Sequence, residues 1–190
     1  MPEDLSGRIV AILATDGFEQ SELLEPRKAL DEAGATTRVV SPAGSDGSRI
    51  RGWNHGEWGR EVEVDVRLED AAPQDFDALV LPGGVMNPDR LRMNEGAVDF
   101  VRAFFASGKA VAAICHGPWM VVEAGAADGR RMTSWPSLRS DIRNAGGQWV
   151  DQEVVVDNGL VTSRKPDDLP AFVRKAIEEI HEGAHVGQSV

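Results

Sequence analysis

The chain carries one cysteine, Cys115, among neighbours that a reacting thiol would need. It stands in AICHGP (residues 113–118), where a run of small and β-branched residues ends and His116, Gly117 and Pro118 follow. Such a run, stopped by Gly-Pro, reads as a strand turning sharply into a helix, because Pro suits the first helical turn. A cysteine at that turn has the geometry of a nucleophile elbow, with its side chain presented above the sheet. The helix N-terminus predicts partial positive charge and open N–H groups around the sulfur. Both favour the thiolate, the attacking species, over a thiol of reference pKa about 8.5. The N–H of His116 and one from the Gly83-Gly84 turn are placed to form an oxyanion hole. Against this stands the ordinary use of a lone cysteine as a small buried hydrophobe. His116 serves as a base only if a third group orients it, since adjacent residues on a sharp turn often point apart.

Other residues could join this chemistry. Glu22 lies on the first turn of the helix after the first strand. As a carboxylate it would repel a thiolate; protonated by burial it would donate a hydrogen bond to it, which is the preferred reading. His55, in GWNHGEWG, borders the pocket or is a loop histidine without chemistry. Trp119, one turn into the elbow helix, is expected to wall the pocket. Trp53, Trp58 and Trp135 line a cleft or an interface, or simply pack. His181 and His185 are four residues apart near a Gly- and Ser-containing end, and read as a solvated terminus. One cysteine excludes an internal disulfide and a Cys-only metal site, and the histidines show no ligand spacing. No metal and no cofactor are expected.

Positioning these residues requires a scaffold, and the hydrophobic pattern supplies one. RIVAIL (8–13), TTRVV (36–40), DALVLPGG (77–84) and AVAAIC (110–115) read as buried strands. Helical patterns cover 20–33, closed by Gly34, then 89–107, a segment from about Pro118, SLRSDIRNAGG, and 167–182. Residues 44–59 form a Gly-, Ser- and Trp-rich excursion, a short hairpin or loop, leading into EVEVDV. QWVD and a VVVDNGLVTS hairpin, turning at Asp157-Asn158-Gly159, complete the sheet. Strands alternating with helices imply βαβ units. The expected fold is α/β: one doubly wound, flavodoxin-like, mostly parallel sheet with helices on both faces, a single domain over 1–190 with its core at about 8–180. Ligands of such sheets gather at the carboxyl ends of the strands, where Cys115, Gly83-Gly84 and the segment after RIVAIL all fall.

The 190 residues are 42% hydrophobic and carry a formal net charge of −11. That charge argues against nucleic acid and anionic membranes as partners, and Lys109 with Arg130 and Arg131 is too small a basic cluster to reverse it. No apolar run approaches a membrane helix and no signal-peptide pattern opens the chain, so a cytoplasmic location is expected.

Jointly, DGFEQSELLEP, LPGG, AICHGP and TSWPSLRSDIRNAG resemble the PfpI (intracellular protease I) family of the DJ/PfpI superfamily, a branch of the class I glutamine amidotransferase-like fold. The resemblance runs from about Arg8 to Ile180. It implies Cys115 as nucleophile, His116 beside it, Glu22 as the carboxyl that hydrogen-bonds the thiol, and Gly84 and His116 as backbone donors. In the protease-like members a carboxylate from a neighbouring subunit orients the histidine, and the matching position here is Asp89. A homodimer or higher homo-oligomer is therefore expected.

The sequence points to a cysteine-dependent, stress-protective enzyme acting on reactive carbonyls such as methylglyoxal or on glycation adducts, or to an intracellular cysteine peptidase. Carbonyl chemistry ranks first, because nothing suggests an extended peptide groove. The alternative is a redox-sensing stress protein without turnover, working through oxidation of Cys115. The enzyme's substrates would be small carbonyls, glycated groups or peptides.

Overall fold

The computed structural model describes residues 3–42 and 48–188. In chain order the elements are β1 (Ile9–Leu13), β2 (Phe18–Glu19), α1 (Gln20–Glu32), β3 (Thr36–Ser41), β4 (Arg49–Asn54), β5 (Glu57–Glu63), β6 (Val66–Arg67), β7 (Ala78–Leu81), α2 (Met86–Leu91), α3 (Glu95–Ala106), β8 (Ala110–Ile114), α4 (Pro118–Glu123), β9 (Arg131–Met132), α5 (Arg139–Asn144), β10 (Gln148–Trp149), β11 (Val154–Asp157), β12 (Leu160–Ser163) and α6 (Leu169–Glu182).

Seven strands form one sheet in the order β11-β12-β8-β7-β1-β3-β6, parallel throughout except for β11, which closes a hairpin on β12. The central strands are apolar on both faces because both are covered. Alternation decides which side chain goes where. Val111 and Ala113 of β8 face a core with Phe100, Phe104, Met120 and Val121 of α3 and α4. Ala112 and Ile114 face the opposite core, with Leu23 and Leu30 of α1 and Phe172, Ala176 and Ile180 of α6. No helix among the described residues is long and apolar enough to cross a membrane.

Two expectations change and a third, the hairpin, is made specific. The helix anticipated over 89–107 is two helices, because Asn94 caps α3 by accepting from the Ala97 N–H at 3.0 Å and the chain breaks before it. Gln148 and Trp149 do not extend the main sheet; they pair with β9 in a separate two-stranded ribbon. The Gly- and Trp-rich excursion is an antiparallel β4–β5 hairpin turned by His55 and Gly56, with φ of 48° and 92°; its expected start, residues 44–47, lies outside the described residues. Positive φ at both turn positions is what a two-residue turn matching the strand twist demands.

Arg130 and Arg131 do not share a surface. Arg130 is buried over the Phe105 ring at 5.2 Å, leaving Arg131 exposed beside it.

Candidate active site

Cys115 follows β8 directly and has φ +62°, one of three non-glycine residues at positive φ among the described residues. A left-handed β-carbon costs about 1–2 kcal/mol, which the surrounding contacts must offset. The Cys115 N–H is held by Ser163 O at 3.0 Å, and its carbonyl by the Trp135 N–H at 2.8 Å. Gly117 lets the elbow close, since a β-carbon there would press on Leu81 O and Ile114 O.

The turn after β7 fits against this elbow. Gly83 N–H donates to Glu22 Oε2 at 2.9 Å. Gly84, at φ +79°, packs so tightly that a β-carbon would lie 2.5 Å from Gly17 O. Buried Asn87 ties the turn down, accepting from Thr15 N–H at 2.8 Å and donating to Pro82 O and Gly83 O at 3.0 and 3.2 Å. Backbone N–H groups of Gly84 and His116 both reach the sulfur. The two chain segments thus bring donors to one point, as an oxyanion hole needs.

His116 turns toward the thiol: its Nδ1 lies 3.2 Å from Cys115 Sγ. A thiol donating to Nδ1 requires the Nε2–H tautomer, and Nε2 faces Ser137 Oγ at 3.4 Å. The ring stacks on Trp135 at 6.0 Å and meets Trp119 edge-on at 5.1 Å. Asp89 is exposed on α2 and is absent from the cleft wall, so the chain by itself supplies Ser137, not Asp89, as the neighbour of Nε2.

Burial sets the protonation states. Glu22 has no exposed surface, and desolvation, helped by the charge of Glu19, pushes its carboxyl up to about 8. Its Oε1 has no hydrogen-bond partner among the described residues, and the Cys115 side chain is the other polar neighbour of the carboxyl. Burial lowers His116 to about 4, leaving the ring neutral at pH 7. The Cys115 thiol is pushed up, first by burial and then, once that carboxyl ionises, by Glu22; the N–H groups of Gly84 and His116 pull against this without overcoming it. The resting thiolate expected from the helix N-terminus is therefore replaced by a resting thiol. A single turn's dipole is a small effect, whereas burying a charge is a large one. What the site offers instead is a neutral base in contact with that thiol.

The sulfur opens into a cleft of about 340 Å³ lined by Glu19, Trp53, His55, Val85, Trp135 and Pro166 among others. His55 reaches it because the β4–β5 hairpin is tethered to the β1–α1 loop: Arg51 N–H donates to Asp16 Oδ1 at 2.7 Å and Arg60 N–H to Gln20 Oε1 at 2.7 Å. Pro166 is held by Arg164, which grips Asp168 through Nε and Nη2 at 2.9 and 3.0 Å. Trp119 does not wall the cleft; its indole N–H donates to Asp141 Oδ2 at 2.9 Å, behind His116. Gly83 lies beneath the cleft, against Glu22. Asn87, Ser137 and Pro166 carried no sequence signal, because an amide, a hydroxyl and a proline become site residues only through long-range contacts.

The opposed shifts of Glu22 and His116 predict a pH signature. A carboxyl raised to about 8 when folded gives stability that is fully present below its unfolded value of 4.5 and is lost as pH rises through 8. A histidine lowered to about 4 gives stability present above 6.5 and lost as pH falls through 4. Between pH 6.5 and 8 only the Glu22 slope operates. Urea unfolding should show Glu22→Gln gaining about 1–2 kcal/mol on the wild type across that window. Parallel curves for the two proteins would mean that Glu22 is ionised in the folded state.

Residues 8–179 match the DJ-1/PfpI family. A deglycase of Pyrococcus abyssi is 46% identical over 169 residues, covering 89% of this chain and 97% of that protein. General stress protein 18 of Bacillus subtilis is 44% identical over 172 residues, covering 90% and 96%. Among solved structures, a two-domain Anabaena variabilis protein with DJ-1/ThiJ/PfpI-like and ferritin-like domains superposes with a TM-score of 0.85 at 32% identity, over 96% of this chain and 50% of that one.

Proposed function

The chain belongs to the DJ-1/PfpI family, and from that premise we propose that it is a cofactor-independent cysteine enzyme acting on reactive carbonyls and their amine adducts, as a glyoxalase or deglycase. The observation that carries this is the 3.2 Å contact between Cys115 Sγ and a neutral His116 Nδ1, at the floor of a cleft sized for a small dicarbonyl.

His116 takes the thiol proton while sulfur bonds to the aldehyde carbon of methylglyoxal. The carbonyl π pair moves to oxygen beside the Gly84 and His116 N–H groups, and the oxygen receives the proton, giving a hemithioacetal. A base removes the proton on that carbon and the neighbouring ketone carbon gains one, through an enediol, leaving a thioester. Water then releases lactate and restores the thiol. With an amine adduct, sulfur displaces the amine, which leaves with the proton held by His116. Glu22, protonated at neutral pH, donates a hydrogen bond and is not the base of the resting site.

The decisive assay uses a pre-formed methylglyoxal adduct of acetyl-lysine, with free dicarbonyl scavenged, because such adducts dissociate unaided. Amine release faster than scavenger alone, falling about 10²–10⁴-fold in His116→Ala, is expected. Release no faster than with scavenger would sink the deglycase reading and leave only a reaction with free dicarbonyl.

Peptide hydrolysis asks more of His116, which must be held firmly to protonate an amine leaving group, and Ser137 at 3.4 Å is a weak orienting partner. In this reading a second copy brings its Asp89 to the histidine. Val85 and Met93, 56% and 77% exposed on either side of Asp89, are the apolar surface such a contact would cover. Asp89→Ala should then lower peptidase activity while leaving lactate formation intact, with the oligomer checked by sedimentation. Equal peptidase activity in the variant removes the shared triad. A sensing role is disfavoured by the raised thiol, since oxidation follows thiolate character and exposure.

A further inference from the structure

At the end of the strands opposite Cys115, the end of α6 gathers Glu179, Glu182 and His185, whose ligand atoms all lie within 4.8 Å of one another. The tail after α6 is docked there, unlike the solvated end expected from the sequence. His185 N–H donates to Gly108 O at 2.7 Å, in the turn between α3 and β8. Its Nε2 lies 3.3 Å from Glu179 O and 3.4 Å from Glu179 Oε2, and the Gly159 N–H of the β11–β12 hairpin reaches the Glu179 carboxylate. His181 does not take part; its Nδ1 faces Asp4 O at 3.1 Å.

A second observation is independent of the cluster. Gln188 is 6% exposed, yet neither Oε1 nor Nε2 has a hydrogen-bond partner among the described residues. A buried amide left unpaired is costly. Its Oε1 and the Cδ2 edge of His185, the edge next to Nε2, both lie 2.7 Å from the point where a β-carbon on Gly159 would stand. The orphan oxygen and the edge of the imidazole that faces Glu179 thus flank the same glycine. Glu179 and Glu182, three apart on one helix face, repel each other without a cation.

We propose that Glu179, Glu182, His185 and Gln188 Oε1 form a structural site for a first-row divalent cation, of which Zn²⁺ is the natural probe. One imidazole, two carboxylates and an amide oxygen make a four-ligand set of borderline character suited to Zn²⁺. Bound there, the ion staples the C-terminal tail to α6, beside the turns at Gly108 and Gly159 and at the end of the strands away from catalysis.

The test uses the full chain, untagged and stripped with chelator, in a Cys115→Ala background, because Cys115 and His116 would themselves capture Zn²⁺. Competition with a chromophoric chelator at pH 7.5 should give one Zn²⁺ per chain, about micromolar or tighter. Glu182→Gln, at an exposed position that leaves the fold alone, should weaken it at least about 10-fold, and His185→Ala should abolish it. The unfolding midpoint should rise with Zn²⁺ in the background protein and stay fixed in His185→Ala. Absence of stoichiometric binding, or binding unchanged by both substitutions, overturns the proposal.

Discussion

Replacing Cys115 with Ala should reduce lactate formation from methylglyoxal by at least about 10³-fold, to the level of buffer, while the protein stays folded. No other described side chain in the cleft offers a nucleophile of comparable strength: the cleft-lining residues are carboxyls, imidazoles, indoles, glycine, valine and proline. The folded state tolerates the change because Ala keeps the β-carbon that Cys115 already carries at φ +62°. Only one buried sulfur is lost, a cost of about 1 kcal/mol. Cys115→Gly gives an internal check on this account. Glycine relieves a left-handed penalty of about 1–2 kcal/mol and adds unfolded-state freedom worth about 0.5–1 kcal/mol. It should therefore be at least as stable as Cys115→Ala, and equally inactive. Retention of a tenth of the wild-type rate in either variant would falsify nucleophilic catalysis by this sulfur.

Gly83→Ala should strain the site from two sides at once, against Glu22 and against the elbow. The new β-carbon would overlap Glu22 Oε2, lie 2.6 Å from Cys115 Cβ and 2.8 Å from Ile114 O. Two of these three neighbours are a β-carbon and a backbone carbonyl that cannot swing aside, so the strain must move the elbow or the turn. Overpacking of this kind costs about 1–3 kcal/mol. It also parts Glu22 from the Gly83 N–H, so activity should fall by about 10² or more, a displacement of about 1 Å sufficing for that. A thermal-unfolding cycle with Glu22→Ala separates the causes. If the clash with the carboxyl contributes, the double variant is less destabilised than the sum of the singles, by at least about 0.5 kcal/mol. Strict additivity would place the strain wholly on the β8 backbone.

The shift of Glu22 to about 8 and of His116 to about 4 also bears on how such a site works at neutral pH. A permanently charged sulfur is not required. A thiol touching a neutral imidazole can release its proton at the moment of attack, which keeps a buried charge out of the resting state.

Local signals in the sequence determined the scaffold and the address of the chemistry. Apolar runs broken by glycine and proline report βαβ units because strand and helix periodicity are properties of a few consecutive residues. Cys115 before His-Gly-Pro, paired with Gly83-Gly84, reports an elbow and its facing turn for the same reason. Where the local pattern was incomplete, so was the reading. Asn94 divides the helix expected over 89–107 by a cap bond, and Gln148-Trp149 pairs away from the main sheet. Tertiary structure alone decided the protonation of Cys115 and His116, the placing of Ser137 against Nε2 within the chain, the retreat of Trp119 behind the ring, and the docking of His185 and Gln188 onto distant turns. Each of these depends on burial or on partners far away in the chain, and neither desolvation nor a long-range contact leaves a mark on the spacing of neighbouring residues.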